Sequence, residues 1–364
     1  MNILFAAGGS GGHINPALAM ADILRKNLPR ARCFFAGRRD SMESAATLRE
    51  GYPFLEINIE GLPRKASCRA IKSVFKAFSS LREAKRILLR EKICLVVGTG
   101  GYVTFPFIKA ARALRIPCVL FEANAVPGLA FKLCERSADA VLLQFEECLK
   151  HLRYPKKARV IGAPLRRGFT SLSKSEARER LGIAEDAFFF LSFGGSLGAQ
   201  KINEVCVELM SKLQEQEILH IHACGARYYG ESKKKAPLCA KEGRLLPYLE
   251  EMPLYMAAAD LVLCRAGAIT LAELARAGRA AILVPSPNVT ADHQRKNAYA
   301  YKERGAALVF EEKDLSGEAL LTTLTRLKKS PSELRLLEQK IKGLDDKNAE
   351  REFLKTALSL ITEK

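Results

Sequence analysis

The stretch Ile3-Leu4-Phe5-Ala6-Ala7-Gly8-Gly9-Ser10-Gly11-Gly12-His13 decides the fold. Five apolar residues without a basic lead-in make a buried first strand and not a signal peptide. The glycines make a tight turn, and a helical pattern follows through Pro16-Ala17-Leu18-Ala19 to Leu28. The unit is therefore strand, glycine turn, helix. It recurs about half a chain later. Phe188-Phe189-Phe190-Leu191-Ser192-Phe193 runs into Gly194-Gly195-Ser196-Leu197-Gly198-Ala199-Gln200, again before a helix.

A second pair repeats the pattern. Leu95-Val96-Val97-Gly98-Thr99-Gly100-Gly101 precedes a helix ending near Arg115, then the strand Cys118–Phe121 and Glu122-Ala123-Asn124. Leu261-Val262-Leu263-Cys264-Arg265-Ala266-Gly267 precedes a helix ending near Gly278, then the strand Ala281–Pro285. Apolar strands alternating with amphipathic helices imply parallel sheets covered on both faces. The expected fold is α/β, two Rossmann-like domains whose sheets face across a cleft. Ligands of such sheets bind at the carboxyl ends of the strands. The linker is read near Gly162-Ala163-Pro164, giving domains 1–162 and 163–345. A last helix within residues 346–364 is expected to complete the first domain.

Composition narrows the class. Hydrophobic residues make up 48 % and charged residues 27 %, which excludes disordered and fibrous chains. No apolar run reaches the ~18 residues that span a bilayer. Ten cysteines include no C-x-x-C pair, so metal-site spacing is absent, and several lie in apolar runs that suit a reducing cytosol. The net charge of +18 points either to simple solubility or to an anionic partner.

A glycine turn at a helix N-terminus lets backbone N–H groups approach an anion, and the helix end adds roughly half a positive charge. Ser10 and Ser196 offer hydroxyl donors beside these turns. G-x-x-x-x-G-K-[ST] is absent, which removes a P-loop nucleotide hydrolase. The glycine spacing and the lack of a ribose acid after Cys33-Phe34-Phe35-Ala36 disfavour a nicotinamide dehydrogenase. D-x-D is also absent, so a diphosphate must be neutralised without a metal, by helix ends, hydroxyls and basic side chains.

His13 closes the first turn and is a candidate general base, or a helix-start histidine bonded to backbone. Glu122, at a strand's carboxyl end with Asn124, is the rival base. Glu273 is placed to accept from ribose hydroxyls or to stabilise a helix end. Arg166 either touches a nucleotide or is a solvated charge. Gln294 is a candidate for sugar hydroxyls. Between Arg64 and Lys92 stand ten Lys or Arg and two Glu, interleaved with Ile71, Val74, Phe75, Phe78 and Leu81 on one helical face. That pattern fits an anionic membrane surface, or a helix packing its stripe on its own sheet. No RNA-binding motif accompanies it, which argues against nucleic acid.

Taken in order, these motifs resemble the bacterial peptidoglycan N-acetylglucosaminyltransferase family, MurG. The resemblance rests on Gly8–His13, Gly98–Tyr102, Glu122-Ala123-Asn124, Gly162–Arg166, Gly194–Ala199, Ala266–Thr270 with Glu273, and His293-Gln294 with Asn297. It implies a GT-B fold and inverting transfer of GlcNAc from UDP-GlcNAc to undecaprenyl-diphosphate-linked muramyl-pentapeptide, with no cofactor or metal. It implies that Arg166, Ser196, Leu249, Ala268, Ile269, Thr270, Leu271, Ala272, Glu273 and Gln294 line the donor site, Leu249 through its backbone. Ser10, Gly11, Gly12, His13 and Asn124 would complete it from the N-terminal half. A peripheral place on the cytoplasmic membrane face, with other cell-wall synthesis proteins as partners, follows from the same resemblance. Leu197 departs from the polar residue many members carry. Two rivals are another GT-B transferase with a glycolipid acceptor and a non-catalytic nucleotide-sugar-binding subunit that recruits a partner to the membrane.

Overall fold

A computed structural model describes residues 1–59, 69–166, 168–169, 172–195, 197–289 and 292–362, with 69–78 as backbone alone. The chain forms two units, one of residues 1–166 with 346–364 and one of residues 167–345.

The first unit holds strands β1 (Asn2–Ala7), β2 (Arg32–Gly37), β3 (Phe54–Glu56), β4 (Ile93–Gly100), β5 (Cys118–Glu122), β6 (Ala140–Leu143) and β7 (Ala158–Val160). They pair in parallel in the order β3-β2-β1-β4-β5-β6-β7. The second holds β8 (Phe188–Phe193), β9 (Ile218–Ala223), β10 (Leu245–Leu246), β11 (Leu261–Cys264), β12 (Ala280–Leu283) and β13 (Leu308–Val309). Their order, β10-β9-β8-β11-β12-β13, repeats the first. In each sheet the strand order reverses once, between β1 and β4 and between β8 and β11. Ligand crevices of doubly wound sheets open at that reversal. The four loops after these strands are the paired motifs of the sequence.

β1, β4, β8 and β11 are almost wholly buried because both of their faces are covered. Helix Ala349–Thr362 buries Ala349, Phe353 and Ala357, and it packs on helix Gly11–Asn27 and β4, so it belongs to the first unit. Gly162 makes that return possible. Its φ is +76°, and a Cβ there would meet the Asp346 side chain at 2.6 Å.

The basic helix Arg69–Arg90 packs in its own unit over its C-terminal part. Ala84, Ile87 and Leu88 are buried in the core, whereas Leu81 is half-buried. Ser80 is buried as well, so the C-terminal part of this helix packs on its own unit. The side chains of Ile71, Val74, Phe75 and Phe78 lie outside the described residues. Among the described residues, no helix is long and apolar enough to cross a membrane.

The nine described cysteines are free. Burial pushes the thiols of Cys33, Cys118, Cys134, Cys148 and Cys206 up to about 12, the behaviour of packing residues and not of nucleophiles. Sequence spacing gave no metal signal, yet the ligand atoms of Cys206, His220 and His222 lie within 4.8 Å of one another in the second core. A hydroxyl already links the two imidazoles. Ser192 Oγ stands 2.7 Å from His220 Nε2 and 2.8 Å from His222 Nδ1. Asn203 donates Nδ2–H to the Cys224 carbonyl at 2.8 Å, so its Oδ1 accepts from His222 Nε2 at 3.1 Å. His222 Nδ1 also lies 3.2 Å from the Ser192 carbonyl oxygen, so Ser192 meets this imidazole through both its hydroxyl and its backbone.

Candidate active site

In the first unit the site begins where β1 ends. Ser10 is extended and makes no side-chain cap on helix Gly11–Asn27, so the first-turn amides point out of the helix end toward a prospective anion. The helix after β4 (Thr104–Ala113), the helix after β8 (Gln200–Glu215) and the helix after β11 (Ala268–Ala277) also begin without a side-chain cap. Helices Met42–Arg49, Lys174–Leu181 and Gly317–Lys329, by contrast, carry serine caps. Helices Ala226–Lys235, Met252–Ala258, His293–Glu303 and Pro331–Lys342 also begin without a side-chain cap, so what sets the reversal loops apart is their glycine turns.

The turns after β1 and β4 are in backbone contact. Gly8 N donates to the Gly100 carbonyl at 3.3 Å, and Thr104 Oγ1 accepts from Gly100 N at 3.0 Å while reaching the Ala6 carbonyl at 2.8 Å. His13 lies over this junction. Its Nδ1 is 3.0 Å from the Gly8 carbonyl oxygen and 3.3 Å from Ser10 Oγ. A carbonyl oxygen only accepts, so Nδ1 carries the proton and Nε2 keeps its lone pair. Thr99 donates to the His13 carbonyl at 2.7 Å, and the ring lies against the Cβ-free face of Gly100.

Glu122 is buried, and its carboxylate accepts three hydrogen bonds. Oε1 takes Asn124 N at 3.0 Å and Asn124 Nδ2 at 2.9 Å, and Oε2 takes Gly128 N at 2.9 Å. It therefore ties the loop after β5 and orients Asn124. His13 is half-buried. Arg166 Nη1 stands 3.8 Å from Glu50 Oε1, a loose pair at the surface.

Glu43 was not singled out by sequence. It lies in helix Met42–Arg49, is 2 % exposed, and fills the space left by two glycines that end neighbouring strands. A Cβ on Gly37 would meet Glu43 Cγ at 2.6 Å, and one on Gly8 would meet Oε1 at 3.2 Å. Its Oε2 accepts from Gly9 N at 3.3 Å, and its Oε1 accepts from the Tyr102 hydroxyl. Burial, with Glu43 beside it, pushes the Tyr102 phenol above its ordinary range, so the phenol stays a donor.

In the second unit, Gly198 (φ +76°) presses on the turn after β9, where a Cβ would stand 2.2 Å from the Cys224 carbonyl oxygen. Gly195 (φ +90°) has open space around it. Ser196 lies outside the described residues, and the neighbouring Leu197 side chain is exposed. In helix Ala268–Ala277 the side chains of Ala268, Ile269 and Leu271 are buried, so this segment can meet a ligand only through backbone amides and the half-buried Thr270, Ala272 and Glu273. Burial, with the Glu273 charge adding to it, pushes the Cys264 thiol above its ordinary range. Asn297 Nδ2 donates to the Ala266 carbonyl at 3.4 Å, and Gln294 Oε1 accepts from Ser286 N at 2.9 Å. Both brace the loops after β11 and β12. Leu249 is buried.

Two parallel α/β units of the same strand order, each with glycine turns at its sheet reversal, fit the architecture of nucleotide-sugar glycosyltransferases. Residues 3–143 match the glycosyltransferase family 28 N-terminal domain, and residues 190–355 match its C-terminal domain. The chain belongs to the family of UDP-N-acetylglucosamine–N-acetylmuramyl-(pentapeptide) pyrophosphoryl-undecaprenol N-acetylglucosamine transferases, the MurG family. The relative in Caldanaerobacter subterraneus subsp. tengcongensis is 38 % identical over 353 residues, covering 96 % of this chain and 97 % of that protein. The Acetivibrio thermocellus relative is 37 % identical over 351 residues, covering 96 % and 95 %. The Acinetobacter baumannii MurG crystal structure covers 100 % of this chain and 99 % of its own, with a TM-score of 0.74 and 28 % identity.

Proposed function

We propose that this chain transfers N-acetylglucosamine from UDP-GlcNAc to the C4 hydroxyl of muramyl-pentapeptide on undecaprenyl diphosphate, with inversion and without a metal. The names of full-length relatives support the two substrates. The observation that carries the chemistry is the His13 Nδ1 contact to the Gly8 carbonyl, which leaves Nε2 as acceptor beside an open helix end.

In this reading the N-terminal unit takes the acceptor and the C-terminal unit the donor. His13 Nε2 accepts the C4 hydroxyl proton as that oxygen bonds to the anomeric carbon. The bond from that carbon to the diphosphate breaks on the opposite face, and UDP leaves with the electron pair. Open amides at the helix ends after β8 and β11, with the Ser196 hydroxyl, stabilise the departing charge. Glu273 accepts from the ribose hydroxyls, Leu249 offers its backbone to the uracil, and Arg166 and Gln294 contact the donor. Ser10, Gly11 and Gly12 receive the acceptor's own diphosphate, and Glu122 holds Asn124 in place.

The test is turnover of UDP-GlcNAc with the lipid-linked muramyl acceptor, run beside a diacylglycerol acceptor. Muramyl-specific turnover that survives excess EDTA is expected. Strict metal dependence would sink the metal-free account. His13→Ala is expected to lower kcat by roughly 10²- to 10⁴-fold with donor affinity kept. Near-normal kcat would remove His13 as the base.

The N-terminal part of helix Arg69–Arg90 is the segment proposed to meet an anionic membrane on the cytoplasmic face. Between Arg64 and Lys92 the net charge is +8. Co-sedimentation with anionic but not neutral vesicles is expected, and should weaken in Phe75→Ser/Phe78→Ser.

A further inference from the structure

Glu43 and His13 stand at opposite ends of one peptide group. Glu43 Oε2 accepts from Gly9 N at 3.3 Å, and the Gly8 carbonyl oxygen is 3.0 Å from His13 Nδ1. Gly8 C=O and Gly9 N–H belong to the same planar unit and point in opposite directions across it. We infer that Glu43 is a positioning residue for the transfer reaction, acting on His13 through the peptide group between Gly8 and Gly9.

A carboxylate on the N–H end polarises the amide and makes its carbonyl oxygen a stronger acceptor. That carbonyl holds the His13 proton on Nδ1, which keeps Nε2 bare in the ground state. When Nε2 takes a proton, the imidazolium is stabilised by the polarised carbonyl and, behind it, by the carboxylate charge. A buried carboxylate that touches the imidazole directly does the same in hydrolytic triads. Here one peptide group stands between them.

The surroundings are built to hold this geometry. Glu43 occupies space that side chains on Gly8 and Gly37 would take, and Tyr102 donates to its second oxygen. The Tyr102 ring lies along Gly9, with Cε1 3.4 Å from where a Cβ would stand. Gly101, pressed on Gly8, closes the other side. Glu43 touches no substrate in this account.

The inference rests on His13 being the base, and the test separates the two. Glu43→Gln keeps the size and an acceptor oxygen but loses the charge. Expected are a kcat lower by roughly 10- to 100-fold and a UDP-GlcNAc affinity within about two-fold of the parent. The ¹⁵N signals of His13 should move from the Nδ1–H form toward a mixture of tautomers. Tyr102→Phe, which leaves the carboxylate on Gly9, should retain more kcat than Glu43→Gln. Parental kcat and unchanged His13 signals in Glu43→Gln would overturn the relay. So would lost kcat with unchanged tautomer signals, which would make Glu43 a prop for the loop alone. Because the tautomer is read by NMR, a His13→Ala variant with full turnover would defeat only the assignment of the base.

Discussion

A Cβ placed on Gly101 would stand 2.0 Å from the carbonyl oxygen of Gly8. No L side chain fits there, and the φ of +80° already excludes one at low cost. The two glycine turns of the first unit are therefore one structure. Gly101→Ala is expected to lower stability by at least about 2 kcal/mol, from backbone strain and forced separation of the turns. Chemical denaturation measures it, and a midpoint within error of the parent would contradict the close packing.

Gly100 gives a more selective probe. Its Cβ would lie 2.5 Å from His13 Cδ2 and 2.8 Å from Nε2, so the ring must move. Gly100→Ala, made at a φ of +115°, should cut kcat by about 10²-fold or more while UDP-GlcNAc binding persists. Calorimetric donor binding beside turnover distinguishes this from unfolding. Unchanged kcat would show that the ring's resting place does not matter.

Acid should loosen the second unit. Burial pushes His222 down to about 4 and His220, with His222 beside it, lower still. Both groups titrate near 6.5 when unfolded. Below about pH 6.5 the unfolded chain takes up protons that the folded core refuses, so stability is full above that pH and falls as pH drops toward 4. His222 alone accounts for about 3 kcal/mol across this window. His222→Gln should flatten the loss. A denaturation midpoint that stays level between pH 6.5 and 4.5 would refute the neutral pair.

Asp260 anchors the start of the same unit. Its Oδ2 accepts from Arg178 Nη2 and from Phe189 N, both at 2.6 Å, and Lys174 pairs with Oδ1. The Arg178 side chain is 2 % exposed. Asp260→Ala would strand that guanidinium in the core, at a cost of roughly 3–5 kcal/mol. Thermal unfolding should show the loss, and Asp260→Asn should recover part of it.

The glycine turns were legible in the sequence because their cause is local. Apolar strand, φ-permissive turn and helix follow one another within some fifteen residues, and the repeat half a chain later marks the second unit. His13 was legible as a candidate for the same reason, since it closes the first glycine turn. Glu43 and Tyr102 were not. They lie 34 residues beyond Gly9 and 59 residues beyond Glu43 in the chain, and only parallel strand pairing brings them together. The faint signal was a pair of strand-ending glycines, Gly8 and Gly37, whose missing side chains leave room for a carboxylate. The Ser192–His220–His222–Asn203 network was silent too, because alternate residues of β9 reveal a shared face only when β8 and a helix cover it.

By itself the sequence determined the two-unit α/β architecture, the glycine turns that end its central strands, and the family to which they belong. Those features follow from short-range rules of hydrophobic period and backbone freedom. The tertiary structure decided that His13 Nδ1 meets the Gly8 carbonyl, that Glu122 ties its own loop, and that the Ile269 and Leu271 side chains are buried. Each of these depends on which groups meet across the fold, and hydrogen bonds between distant residues are fixed by packing alone.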